Sequence, residues 1–94
     1  MQIIKIVDSP RKTKRYRVYL DDGKYYDFGL KTGKTYIDHK SINKRENYRK
    51  RHYAMEKHLI DKLIPSPSLF SWYILWGNSS DITKNIDVLN KLLN

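Results

Sequence analysis

The rhythm of apolar positions changes about forty residues into this chain. Before that point they come in short runs or alternate with polar residues; after it they recur every three or four residues. Gln2 to Asp8 is rich in Ile and Val and stops at Ser9-Pro10, which predicts a short first strand running into a loop. Arg15 to Asp21 and Lys24 to Gly29 flank Asp22-Gly23, a dipeptide that tolerates the positive φ angles of a type I′ turn, and so predict a tight hairpin. A two-residue loop sets Tyr19 opposite Tyr26 and Arg17 opposite Phe28. One face then carries Arg15, Arg17, Tyr19, Tyr26 and Phe28, and the other, with Tyr16, Val18, Leu20, Tyr25 and Asp27, is the expected core side. A slip of one residue scrambles this assignment.

Gly29 to Lys40 reads as a loop returning to an extended piece at Thr35 to Asp38. A helix is expected from about Asn43, where Asn43 and Glu46 have capping-box spacing, and Tyr48, His52, Met55, Leu59 and Leu63 form its apolar stripe. Pro65-Ser66-Pro67 ends that helix and starts another, with Ser66 as N-cap and Pro67 in the first turn, where a missing N–H costs nothing. Leu69 to Trp76 leaves almost no polar face, so this segment belongs in the core or in a contact with a partner. A last helix from about Asp81 carries Ile82, Ile86, Leu89 and Leu93 on one stripe.

Strands followed by helices predict an α+β fold: a small N-terminal antiparallel sheet of about three strands, packed with about three C-terminal helices. Ninety-four residues make one domain, 1–94, with strands and basic loops over 1–40 and helices over 41–94. A 13% aromatic content is too high for a disordered basic tail, although a mean hydropathy of −0.75 gives a very polar exterior. The absence of Cys removes disulfides, thiolate chemistry and Cys-based zinc sites together, and favours a setting other than secretion. No apolar run approaches the length of a membrane span, so the expected protein has none.

Charge changes the picture most. Residues 1–64 hold 17 Lys and Arg against 8 Asp and Glu, an excess of nine, whereas residues 65–94 hold two of each. A coat spread for solubility alone has no reason to stop there, so the excess points to a polyanionic partner, with nucleic acid ahead of anionic lipid; DNA is expected ahead of RNA, although charge alone does not tell them apart. Two groups of residues carry this expectation. The hairpin face offers Arg15 and Arg17 with Tyr19, Tyr26 and Phe28 as stacking rings, although a cation–π cover over a solvated sheet accounts for the same residues. The basic loop Arg11, Lys12 and Lys14 and the helical cluster with Lys44, Arg45, Arg49 and Arg51 offer phosphate contacts, less whatever Glu46 and Glu56 neutralise. Trp72 and Trp76 belong to the core, or to an interface with another protein or a second copy of the chain.

An enzymatic reading is weaker. His39, Asn47 and His52 resemble in type the residues of a His-Asn-His nuclease, where one His activates water and the others hold a metal, but their spacing is compressed. Gly29-Leu30-Lys31-Thr32-Gly33-Lys34-Thr35 ends like a phosphate-binding loop but spaces its glycines one residue too close. No catalytic residue, cofactor or metal is therefore assigned.

Asp21-Asp22-Gly23-Lys24, Asp27-Phe28-Gly29, Thr35-Tyr36-Ile37-Asp38-His39, Arg45, Tyr48, Arg51-His52, Pro65-Ser66-Pro67, Leu69-Phe70-Ser71 and Leu75-Trp76-Gly77 together resemble an uncharacterised family of short basic proteins of nucleocytoplasmic large DNA viruses. The resemblance implies a setting, the virus particle or the infected cell's cytoplasm or nucleus, without a mechanism. The expected function is non-enzymatic binding of nucleic acid through phosphates with little sequence specificity, and the alternative is a minor structural or adaptor protein of the particle.

Overall fold

The computed structural model describes residues 1–94. Three strands, β1 (Ile3–Asp8), β2 (Lys14–Leu20) and β3 (Tyr25–Leu30), form an antiparallel meander in the order β1-β2-β3. Four α-helical elements follow: α1 (Tyr36–His39), α2 (Ile42–Asp61), α3 (Pro67–Phe70), which runs directly into a π-helical turn over Ser71–Leu75, and α4 (Ile82–Leu93). No helix is long and apolar enough to cross a membrane.

The hairpin register differs from the expected one by one residue. Tyr19 lies opposite Tyr25, Arg17 opposite Asp27 and Tyr16 opposite Phe28. The loop is Asp21-Asp22-Gly23: the Gly23 N–H donates to the Leu20 carbonyl (3.1 Å) and the Leu20 N–H to the Lys24 carbonyl (2.9 Å). Only Gly23 has a positive φ, 86°, so the connection is a three-residue turn closed by a left-handed glycine rather than a type I′ turn, which needs two such residues. Burial explains the choice. The observed register puts Phe28 into the core at 0% exposure and turns Asp27 towards Arg17. The other register would expose a ring whose burial stabilises by about 1.5–3 kcal/mol and press a carboxylate into apolar surroundings.

Val18, Leu20 and Phe28 of the sheet meet Phe70, Ile74 and Leu75 of the α3/π segment and Leu89 of α4 to form the core, with Tyr16, Tyr26, Ile82, Ile86 and Leu93 packed around it. The all-apolar segment is thus central, as one of its two readings required. Ser66 caps α3 by accepting from the Leu69 N–H (3.2 Å), with Pro67 in the first turn, and Asp81 caps α4 by accepting from Thr83 and Lys84. Two asparagines of α4 tie it down. Asn90 accepts from the Ile3 N–H (2.7 Å) and donates to the Ile3 carbonyl (3.2 Å), completing the edge of β1 as a strand would. Buried Asn85 donates to the carbonyls of Ile74 (2.9 Å) and Ser79 (2.7 Å), holding the turn after the π segment.

Two expectations for the middle of the chain are corrected. Thr35 to Asp38 is not extended: Thr35 starts the single turn α1 through a capping box with Asp38, and Lys40 ends it in the left-handed region at φ 59°. Helix α2 is capped by Ser41 rather than Asn43. Its apolar stripe also breaks, because non-helical backbone at Glu56 shifts the buried face; Met55 is 69% exposed while Ile60 is buried.

Candidate nucleic-acid interface

The two basic regions singled out in the sequence have different fates. On the outer face of the sheet, each arginine has an acid. Arg17 grips Asp27 with Nε and Nη2 (2.9 and 3.1 Å), Ser9 donates to the same carboxylate (2.8 Å), and the guanidinium lies over Tyr25, 4.1 Å from the ring centre. The Arg17 hydrogen bonds hold Asp27 below the ordinary carboxylate range, and Asp27 in turn raises the guanidinium. Arg15 forks onto Asp38 (2.6 and 2.7 Å), lowering the Asp38 pKa well below its usual value; hydrogen bonds from the Thr35 N–H and hydroxyl act in the same direction. Tyr19 is on this face beside Tyr25, under the Lys5 ammonium.

The proposed stacking surface is corrected accordingly. Phe28 and Tyr26 point to the core, where their rings lie 5.9 and 5.5 Å from that of Phe70, so neither presents a face to a base. The cause is the one-residue register shift, which moves every side chain of one strand to the opposite face.

Two arginines of α2 are also committed to the fold. Arg49 donates to the Trp76 carbonyl (2.9 Å) and covers Trp72, and burial lowers its pKa. Arg45 pairs with Glu46 (3.0 Å), donates to the Asn78 carbonyl (3.3 Å) and lies over Tyr36. Both clasp α2 to neighbouring segments. Trp72, expected in the core or at a partner, is 8% exposed beneath Arg49 and Tyr53, which leaves almost none of it for a partner.

Four of the remaining cations border a groove. A cavity of about 380 Å³ runs between the β3–α1 loop, α2 and the α3/π segment, and a recess of about 280 Å³ adjoins it; Lys34, Tyr48, Arg51 and Trp76 line both. Lys14 lines the cavity and Lys44 the recess. None of these four cations forms a salt bridge; the ion pairs of the protein use Arg15, Arg17, Arg45 and His52. The groove's acid, Glu56, sits 3.5 Å from His52 Nδ1. The basic loop abuts this groove through Lys14, its end fixed by the Lys31 N–H donating to the Thr13 carbonyl (3.2 Å), and Arg11 and Lys12 are exposed earlier in the loop.

The floor of the groove is aromatic. Trp76 and Tyr48 stack nearly parallel (4.2 Å, 5°), and His52 covers the other face of Tyr48 (4.0 Å, 24°). With both faces taken, Tyr48 has none on which a base can stack. Burial pushes the Tyr48 phenol up to about 12, and its O–H is a donor at neutral pH as in any tyrosine. The stack was missed in the sequence because Tyr48 and His52 share a helical face that looks like ordinary core, and Trp76 comes from a distant segment. The three residues of the nuclease reading lie nearby, His39 and Asn47 in the recess and His52 in the cavity. They do not form a metal-ligand set: no three His, Asp or Glu side chains converge to hold an ion.

Sheet, helices and groove define a small basic α+β domain in which four cations without salt bridges border one concave surface. The chain belongs to a family of unknown function, DUF5754, whose sequence model matches residues 4–52. That segment spans the sheet, α1 and the first half of α2, and it contains every cation of the groove; Trp76 lies outside it. Comparisons with curated proteins and with solved structures returned no match.

Proposed function

We propose that the protein binds nucleic acid, without enzymatic activity and with little sequence preference, through phosphate contacts from the groove and the adjoining basic loop. The observation that carries this reading is the distribution of uncommitted charge: Lys14, Lys34, Lys44 and Arg51 border one concavity without a salt bridge, and Arg11 and Lys12 stand exposed in the loop that leads to Lys14. The contacts are therefore redistributed from the sequence-based set. Arg11, Lys12, Lys14, Lys44 and Arg51 stay, Lys34 joins, and Arg15, Arg17, Arg45 and Arg49 serve the fold. The resemblance to short basic proteins of large DNA viruses supports a viral setting for this binding.

Phosphate contacts of this kind give dissociation constants on the order of 10⁻⁴–10⁻⁶ M at physiological salt. The test is fluorescence anisotropy of a labelled duplex and a single strand across a salt series. The expected result is micromolar binding at low salt, with log K falling linearly against log salt by about 0.9 per phosphate neutralised on duplex. No binding to either at low salt overturns the reading and leaves an acidic protein surface as the partner to seek.

A further inference from the structure

The recess at the N-terminal half of α2 differs from the rest of the basic surface in containing donors without an acid. Lys34, Lys44 and Arg51 supply three cations, and Asn47, Tyr48 and Trp76 supply an amide, a phenol and an indole N–H. Neither the Tyr48 hydroxyl nor the Trp76 indole makes a hydrogen bond within the chain, and the neighbouring acids are engaged elsewhere: Asp38 by Arg15, Glu46 by Arg45 and Glu56 by His52.

His39 adds an observation of a different kind. Its Nδ1 accepts from the Ser41 N–H (3.0 Å), so the neutral ring carries its proton on Nε2. That Nε2 is buried and has no partner, the one side-chain polar atom of the protein in this condition. A buried donor left unpaired costs about 1–3 kcal/mol, a cost that a bound ligand relieves. His39 lines the recess, with its ring 5.4 Å from that of Trp76.

We infer that this recess is a site for a phosphomonoester, the terminal phosphate of a nucleic-acid strand. The inference rests on the nucleic-acid reading and names the part of the nucleic acid that this end of the groove takes. Charge and shape both favour a strand end over internal backbone. A terminal phosphate carries about −1.5 to −2 charges at pH 7, against −1 for a diester, and has three acceptor oxygens, which suits three cations and several neutral donors. A recess of about 280 Å³ is too small for a duplex, a rod some 20 Å across, yet of a size to admit one terminal nucleotide. Engagement of Nε2, closed to water in the free protein, requires His39 or Trp76 to shift, so binding should change the tryptophan emission.

The test compares one single-stranded oligonucleotide with a 5′-phosphate, a 3′-phosphate or hydroxyls at both ends. At fixed salt, a phosphorylated end should bind about tenfold tighter than the hydroxyl form. In K44A/R51A, two exposed cations removed from the recess, that ratio should fall to one; in K12A, outside it, all three affinities should fall together with the ratio kept. Competition by a 5′-mononucleotide and by inorganic phosphate separates the sources of the group: displacement by the mononucleotide, with inorganic phosphate far weaker, supports a strand end. Equal affinity for all three oligonucleotides, a preference that survives K44A/R51A, or displacement by inorganic phosphate as effective as by the mononucleotide overturns the inference. Failure of every oligonucleotide to bind at low salt is a separate result, which removes the nucleic-acid reading itself.

Discussion

The outer face of the sheet and the groove beside α2 are written in the same residue types, Arg or Lys among Tyr and His, yet they do opposite things with their charge. On the sheet, cross-strand geometry brings Asp27 beside Arg17, and the α1 capping box delivers Asp38 to Arg15, so each guanidinium is held by two hydrogen bonds to a carboxylate. In the recess of the groove, Lys34, Lys44 and Arg51 come from two separate segments and meet without an acid among them. The lesson is that a cation's availability depends on where the nearest carboxylate is placed. Arginine, with its planar fork, is spent on bidentate pairs, while the open surface is left largely to lysine.

That contrast can be broken most directly at Phe28. As a stacking ring on a solvated face it could be removed at little cost to stability; as a core residue at 0% exposure, packed on Tyr16 and Phe70, its replacement by Ala should cost about 3–5 kcal/mol. Urea denaturation of the purified variant measures this, and a loss below about 1 kcal/mol would restore the original register.

Acid sharpens the comparison next. Because Arg15 and Arg17 lower the pKa values of Asp38 and Asp27 in the fold, the unfolded chain binds more protons between the folded values and the usual aspartate value near 4. The stabilisation is complete above that pH and is lost as pH falls below it towards the folded values. Urea midpoints followed from pH 6 to pH 2 should drop in the wild type, and Asp38→Asn should start lower and drop less. A parallel displacement of the two curves would show that the Arg15 pair is not the source.

The smallest effects separate binding from folding. Lys44→Ala and Arg51→Ala touch exposed groups without salt bridges, so each should leave stability within about 0.5 kcal/mol while lowering the salt slope of DNA binding by about one. Arg17→Gln should do the reverse, lowering the urea midpoint and leaving the slope in place. If Arg17→Gln instead lowers the slope as Lys44→Ala does, the sheet face takes part in binding and the division between the two regions fails.

Much of the local structure was legible because it is encoded within a few residues of itself. Ser66-Pro67 and Asp81 announce helix starts through capping chemistry that needs only the next three residues, and the stripe Ile82, Ile86, Leu89 and Leu93 shows which side of α4 meets the core. The order of strands before helices was enough for the α+β class. The hairpin was legible as a hairpin, but its register was not, since Asp22-Gly23 is compatible with a two-residue turn and with the last two positions of a three-residue one. Packing made that choice by burying Phe28 and leaving Asp27 to Arg17. The candidate site was legible as an excess of charge within residues 1–64 and in three of its cations, Lys14, Lys44 and Arg51, but not as a groove.

By itself, then, the sequence determined the class of fold, the helix caps, the apolar segment that had to be central and the sign of the surface, all properties of composition or of neighbours along the chain. Tertiary structure alone decided which arginines are neutralised, that Thr35–Asp38 turns rather than extends, and that Trp76 lies on Tyr48 above an acid-free recess. Those outcomes depend on pairs such as Arg15 with Asp38 and Tyr48 with Trp76, 23 and 28 residues apart. At such separations no local period or propensity links the partners, and only the packed chain brings them together.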